Sequence, residues 1–250
     1  MGLESLAEMR GLDLEVWIVS AGYGLVRPSA QLKPYSAAFS PGQPDSIAPR
    51  LDGSARDQAL REWWKTLSEW PGPTGGNRTL AAVAGAGRSD PMLVVLSAPY
   101  LSALNDDLTV ARESLSDPHL LQVVSAGTRS APGITDNLLP VSGRLRHAVG
   151  GPLVSLNVRL ARWIIDRLEE HSFNFERLRS LLVNLDSSAV PLARRSRHRL
   201  SDAEVVTLAR QLMKADAAAT RTALLRELRS QGLACEQARF GRLFEMAAGR

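Results

Sequence analysis

Cysteine is nearly absent. Cys235 is the only one in 250 residues, which excludes an intramolecular disulfide and a cysteine-rich zinc site. The four histidines form no pair at metal-ligand spacing, so neither a metal site nor a cofactor is expected. Lysine is scarce as well: Lys33, Lys65 and Lys214 are the only ones, and the remaining basic charge is arginine. Guanidinium forks suit phosphate recognition, although a GC-rich genome encodes the same bias regardless of function. No apolar run approaches the ~18 residues of a membrane helix. Met1-Gly2-Leu3-Glu4 also lacks a signal-peptide pattern, so a cytoplasmic protein with no membrane partner is expected.

What is present is a hydrophobic fraction of 44%, enough to bury a core. Apolar runs lead into Ser-Ala three times: Val16–Val19 before Ser20-Ala21, Met92–Leu96 before Ser97-Ala98, and Leu121–Val124 before Ser125-Ala126. Each is followed by small or rigid residues, namely Gly22-Tyr23-Gly24, Pro99-Tyr100 and Gly127-Thr128. Continuous apolar runs bounded by turn residues read as buried parallel strands. Ligands of open α/β sheets bind beyond the carboxyl ends of such strands, so the three ends are expected to wall one site.

Periodicity supplies the helices. Leu60, Trp63, Trp64 and Leu67 predict an amphipathic helix over 55–70. Ser97 and Pro99 predict a helix start, with Leu104, Leu108, Ala111 and Leu115 on its buried face. With the flanking strands this is a βαβ unit. Residues 26–54 show no helical period and read as a long loop, and Leu138–Val141 as a further short strand. Gly150-Gly151-Pro152 precedes a helix with Leu153, Leu156, Leu160, Ile164 and Leu168 on one face. Its opening is either an anion-ready N-terminus or a tight turn.

Beyond residue 172 only helical patterns remain, near 202–214, 217–230 and 235–247. Ser201-Asp202 is a good N-cap, and a glycine-bearing turn at 230–234 joins the last two helices, as a helix-turn-helix requires. Charge follows this division. Residues 1–149 hold 13 Lys/Arg against 15 Asp/Glu, and residues 150–250 hold 17 against 11. Arg194, Arg195, Arg197 and Arg199 form a basic segment, and Arg221, Arg226, Arg229, Arg239 and Arg242 decorate the helices after it. These helices read either as a nucleic-acid-binding module or as a solvated cap on the α/β domain.

Ser20-Ala21-Gly22-Tyr23-Gly24-Leu25, continuing to Lys33-Pro34-Tyr35, resembles the S-A-x-Y-G-L…P-Y signature of YaaA-like proteins and their relatives in bacteria and phages. The likeness is dense over about 20 residues and otherwise only a matter of pattern. It implies a mixed α/β fold similar to that of helix-hairpin-helix DNA glycosylases. It also implies nucleic-acid or nucleobase contact along the Ser20–Tyr35 wall, in a stress, DNA-modification or phage-defence setting. The family pattern carries a further strand and helix upstream of the motif.

Candidate chemistry is sparse. Ser20, Ser97 and Ser125 lack an elbow motif and a partnered histidine, so they are expected to cap strand ends rather than act as nucleophiles. Asp45 and Asp136 are loop carboxylates suited either to general-base work on a flipped base or to Asx turns. Tyr23 and Tyr35 suit base stacking, with Lys33 on a phosphate. The alternative is that Tyr35 packs under the loop and Lys33 is solvated. Trp63, Trp64 and Trp70 suit helix docking or a protein interface.

The expected fold is a small, mostly parallel sheet flanked by helices over 1–170, followed by an all-helical, helix-turn-helix-like domain over 171–250. The expected function is nucleic-acid binding, DNA ahead of RNA. The alternatives are a glycosylase- or transglycosylase-like enzyme using Asp45 or Asp136, and a non-catalytic adaptor with protein partners. The expected contact residues are Ser20, Gly22, Tyr23, Gly24, Lys33, Tyr35, Ser125, Arg129, Gly150, Gly151, Asn157, Arg194, Arg195, Arg197, Arg199, Arg239 and Arg242.

Overall fold

The computed structural model describes residues 2–73, 75–128, 130–168, 174–189, 198–215 and 220–249. The chain divides into two compact units, Met1–Pro191 and Leu192–Arg250.

The first unit opens with helix α1 (Leu3–Met9). Strands β1 (Ile18–Ser20) and β2 (Gly24–Val26) then pair antiparallel, Ser20 opposite Gly24. The first apolar run therefore does not join a parallel sheet, and the three Ser-Ala ends do not edge one sheet. The cause is local: Gly24 takes φ +73°, which closes a tight turn over Ala21-Gly22-Tyr23 and returns the chain as a hairpin. The following loop, as expected, holds no helix. It carries one isolated bridge, Ala38 with Ser46, and buries Phe39 completely.

Helix α2 (Gly53–Glu69) buries Leu60, Trp64 and Leu67. Trp63, expected on the same face, is left at the rim, where its indole Nε1 donates to the Ala21 carbonyl at 2.8 Å. Helix α3 (Leu80–Ala86) starts at Thr79, whose hydroxyl accepts from the Ala82 amide at 3.0 Å. Strand β3 (Met92–Val95), helix α4 (Ala98–Ser114) and strand β4 (Leu121–Val124) form the expected βαβ unit, with β3 and β4 parallel.

Strand alternation gives this pair a helical layer on each side. Met92, Val94, Leu96, Leu121 and Val123 face a core built with Leu60, Trp64, Leu104 and Leu108. Leu93, Val95 and Val124 face a second core containing Leu156, Leu160, Ile164, Leu178 and Leu182. The 138–141 run contributes one parallel bridge, Leu138 to Val123, rather than a strand. After α5 (Arg146–Val149) comes a 3-10 turn, Leu153–Ser155, and only then α6 (Leu156–Ile165). Leu153, expected on the buried face, is accordingly exposed. Helix α7 (Phe175–Ser188) supplies Leu178 and Leu182 to the second core, so the first unit runs past residue 170.

The second unit is not all-helical. Its β5 (His198–Arg199) pairs parallel with β6 (Leu233–Ala234), two residues each, too short to leave a period-2 signature. Its helices are α8 (Asp202–Ala215), α9 (Arg221–Ser230) and α10 (Gln237–Ala248), close to the expected spans. Ser201 and Glu204 form a capping box: the Ser201 amide donates to the carboxylate at 2.7 Å, and the Ser201 hydroxyl accepts from the Glu204 amide at 3.3 Å. Val205, Leu224, Leu228, Cys235, Phe240 and Leu243 form the core of this unit.

One carboxylate ties three helices of the first unit together. Asp107 on α4 accepts from Trp64 Nε1 at 3.1 Å and from the amides of Leu80 and Ala81 at 2.9 and 3.0 Å. Two otherwise unmet donors at the start of α3 are thereby satisfied. Burial nevertheless pushes the Asp107 carboxyl above the ordinary carboxylate range, the three hydrogen bonds only partly opposing it. Asp107→Ala should therefore lower stability by about 1–3 kcal/mol in urea unfolding, because three donors lose their acceptor. The raised value means that the folded state binds the proton more tightly than the unfolded chain. The wild-type site thus gains stability as pH falls from the raised value into the ordinary range, and Asp107→Asn should show no such gain.

Candidate nucleic-acid interface

The turn of the β1–β2 hairpin is organised around one hydroxyl. Ser20, 5% exposed, accepts through Oγ from the amides of Gly22 and Tyr23 at 3.3 and 3.1 Å. The same Oγ lies 2.7 Å from the Tyr35 hydroxyl. The Tyr35 ring covers Gly22 so closely that a Cβ there would fall 2.3 Å from ring carbon Cδ2. Tyr23 meets Tyr35 edge-on at 5.1 Å between centroids, and its own hydroxyl donates to the Lys33 carbonyl at 3.1 Å. Trp70 also packs against Tyr23, with 6.0 Å between ring centroids.

Tyr100, in the first turn of α4, belongs to the same region. Burial, together with the nearby Tyr35 and Asp45, raises its phenol above the ordinary tyrosine range. Its ring stands edge-on to Phe39 at 4.7 Å. All three tyrosines of the chain therefore gather beside the hairpin. Tyr35 is 47% exposed and lies over the turn rather than under the loop. Lys33 is exposed.

The sequence pattern does not flag what holds this wall in place. Arg78 is buried and donates to four main-chain carbonyls: from Nε to Trp70 at 3.2 Å, from Nη1 to Leu25 at 2.6 Å, and from Nη2 to Leu67 at 3.3 Å and to Tyr23. A lone arginine in a polar loop carries no periodic signal. The nearest hint is the pair Gly24 and Gly72: a Cβ at either would come within 2.8 or 2.6 Å of the guanidinium.

The other expected residues fall elsewhere. Ser125 is buried at the end of β4, its hydroxyl 3.0 Å from that of Thr128. Asn157 ties the two parallel strand ends together, donating to the Leu96 carbonyl and accepting from the Ala126 amide, both at 2.8 Å. Gly150 and Gly151 take φ +71° and +73°, and the Arg159 guanidinium lies over Gly151. Asp136 sits exposed in a 3-10 turn, Thr135–Asn137, while Asp45 is the carboxylate near the tyrosines. Arg129, Arg194, Arg195 and Arg197 lie outside the described residues. Arg199 lies on β5.

In the second unit, Arg239 is bound to structure: it donates to Asp202 Oδ1 from Nε at 2.8 Å and to the Leu200 carbonyl at 2.9 Å. A neighbouring cavity of about 380 Å³ is lined by Arg221, Arg226 and Arg229 together with Thr222, Ser230 and Gln237. Positions 221, 225 and 229, and 222, 226 and 230, are two adjoining i, i+4 rows on one face of α9. Arg229 donates to the Cys235 carbonyl at 3.2 Å. Arg221 and Arg226 pair with no carboxylate among the described residues. Arg221 and Arg242 line a second groove that also contains Glu236 and Glu245, and their field there is accordingly partly offset. The spacing of the α9 arginines was legible; which of the arginines stay unpaired was not. No cluster suited to a metal ion occurs among the described residues.

Gly22→Ala should destabilise the first unit by about 1–3 kcal/mol through overpacking, and should loosen Tyr35. Thermal melting reports the first effect and near-ultraviolet dichroism of the tyrosines the second. Comparison with protein-family models, characterised proteins and solved structures gives no match, so the site is read from its geometry.

Proposed function

We propose that this protein binds nucleic acid, DNA in the first instance, through the backbone phosphates, and that the arginine face of α9 makes the contact. Charge supports the reading: residues 192–250 hold 12 Lys/Arg against 6 Asp/Glu, whereas residues 1–191 hold 18 against 20. The whole net positive charge of the chain thus resides in the second unit. The single observation that carries the reading is the α9 face, on which Arg221 and Arg226 have no carboxylate partner among the described residues beside a concave surface.

A carboxylate partner would already have satisfied these guanidinium groups; with none among the described residues, they are suited to the bidentate recognition of phosphate oxygens. Thr222 and Gln237 add neutral donors around the same surface. Contacts of this kind position a protein on a nucleic acid and carry no base readout. Affinity should therefore be strongly salt-dependent and weakly sequence-dependent.

Fluorescence anisotropy with a short duplex, repeated over a range of salt, tests this. The wild type should show log affinity falling linearly with log salt. Replacing Arg221, Arg226 and Arg229 together by alanine should reduce the slope by about 2–3, since each phosphate contact contributes about 0.9. A slope unaltered by the triple substitution, with helical content retained, would remove α9 from the interface.

A further inference from the structure

The hydrogen-bond count at Ser20 decides where one proton lies. A serine hydroxyl has one donor and two acceptor positions. The amides of Gly22 and Tyr23 occupy both acceptor positions of Ser20 Oγ. The remaining contact, 2.7 Å to the Tyr35 hydroxyl, must then use the Ser20 proton, with Tyr35 accepting. The Tyr35 hydroxyl consequently keeps its own proton for another partner, and no acceptor for it exists among the described residues.

The ring that carries this donor is fixed in advance. Gly22 lies beneath it, Tyr23 meets it edge-on and Ser20 holds its hydroxyl, yet the side chain remains 47% exposed. An aromatic face that is both immobilised and in solvent loses little entropy when a ligand covers it. Two residues away, Lys33 is exposed and pairs with no carboxylate among the described residues.

We propose that Tyr35 is a stacking platform for an unpaired nucleobase. The base lies on the free face of the ring, the Tyr35 hydroxyl donates to an acceptor on the base edge, and Lys33 meets the adjoining phosphate. A paired base inside a duplex exposes no face, so the platform selects single-stranded or extruded bases. The proposal shares with the preceding reading only its class of partner; it stands on a different unit and on different residues.

The full chain titrated with a short single-stranded DNA carrying one 2-aminopurine tests it, with the matching duplex as the second probe. Tyr35→Leu keeps apolar bulk and removes the ring. It should weaken single-strand binding by about tenfold or more and abolish the change in 2-aminopurine emission, with duplex binding unaltered. Tyr35→Phe keeps the ring and should retain the emission change while losing affinity by about threefold to tenfold. It also decides the matter should Tyr35→Leu fail to fold, since wild-type affinity in Tyr35→Phe would exclude the hydroxyl donor. Wild-type single-strand affinity in a folded Tyr35→Leu overturns the platform. The alanine triple of α9 separates the two readings. Loss of binding there with none in Tyr35→Leu leaves phosphate binding by α9 standing and the platform refuted. The reverse outcome keeps the platform and refutes α9, and absence of binding to either DNA by the wild type overturns both.

Discussion

Arg78 places a full positive charge among main-chain carbonyls and pairs with no carboxylate among the described residues, with hydrogen bonds of 3.2, 2.6 and 3.3 Å to Trp70, Leu25 and Leu67 and a further one to Tyr23. Its acceptors come from three places: the turn and second strand of the hairpin, the last turn of α2, and the chain just past it. Burial lowers the guanidinium pKa from its ordinary value. The charge itself is retained, because arginine does not deprotonate in proteins. A two-stranded ribbon of three residues per strand is not stable alone. Here it is fastened to α2 from one side by Arg78 and from the other by Trp63, which donates to the Ala21 carbonyl at 2.8 Å.

The consequences run outward from that clamp. Holding the Tyr23 carbonyl fixes the turn, and the turn aims two amides at Ser20 Oγ. Ser20 in turn sets the Tyr35 hydroxyl, and Gly22 sets the height of the ring. The glycines of the signature divide the labour: Gly22 makes room for a ring, while Gly24 supplies a positive φ and clearance for Arg78. Elsewhere in the unit the same economy appears in Asp107, which satisfies two α3 amides and the Trp64 indole, and in Asn157, which bonds the backbone at both parallel strand ends.

The helices were legible because their apolar spacing is regular. Leu104, Leu108, Ala111 and Leu115 are all buried, and the starts of α4 and α8 follow from Pro99 and from Ser201-Asp202. The βαβ unit followed from the same evidence. The first strand misled because an apolar run before Ser-Ala reads alike in a hairpin and in a parallel sheet; the deciding quantity, φ at Gly24, is not a composition signal. Of the candidate site, Ser20, Gly22, Tyr23 and Tyr35 were visible as a motif. Tyr100 and Arg78 were not, because each reaches the wall from a distant position in the chain. Among the arginines, pattern alone did not separate Arg239, spent on Asp202, from Arg221 and Arg226, which have no carboxylate partner among the described residues.

Whether the hairpin depends on Arg78 is measured most directly by hydrogen exchange of the β1–β2 amides in Arg78→Lys. Lysine keeps the charge but lacks the planar fork that reaches several carbonyls at once. The β2 amides that pair with β1 should then exchange at the rate of an open loop, while those of Leu104 and Leu108 in α4 keep wild-type protection. Wild-type protection of the hairpin amides in this variant would contradict the account.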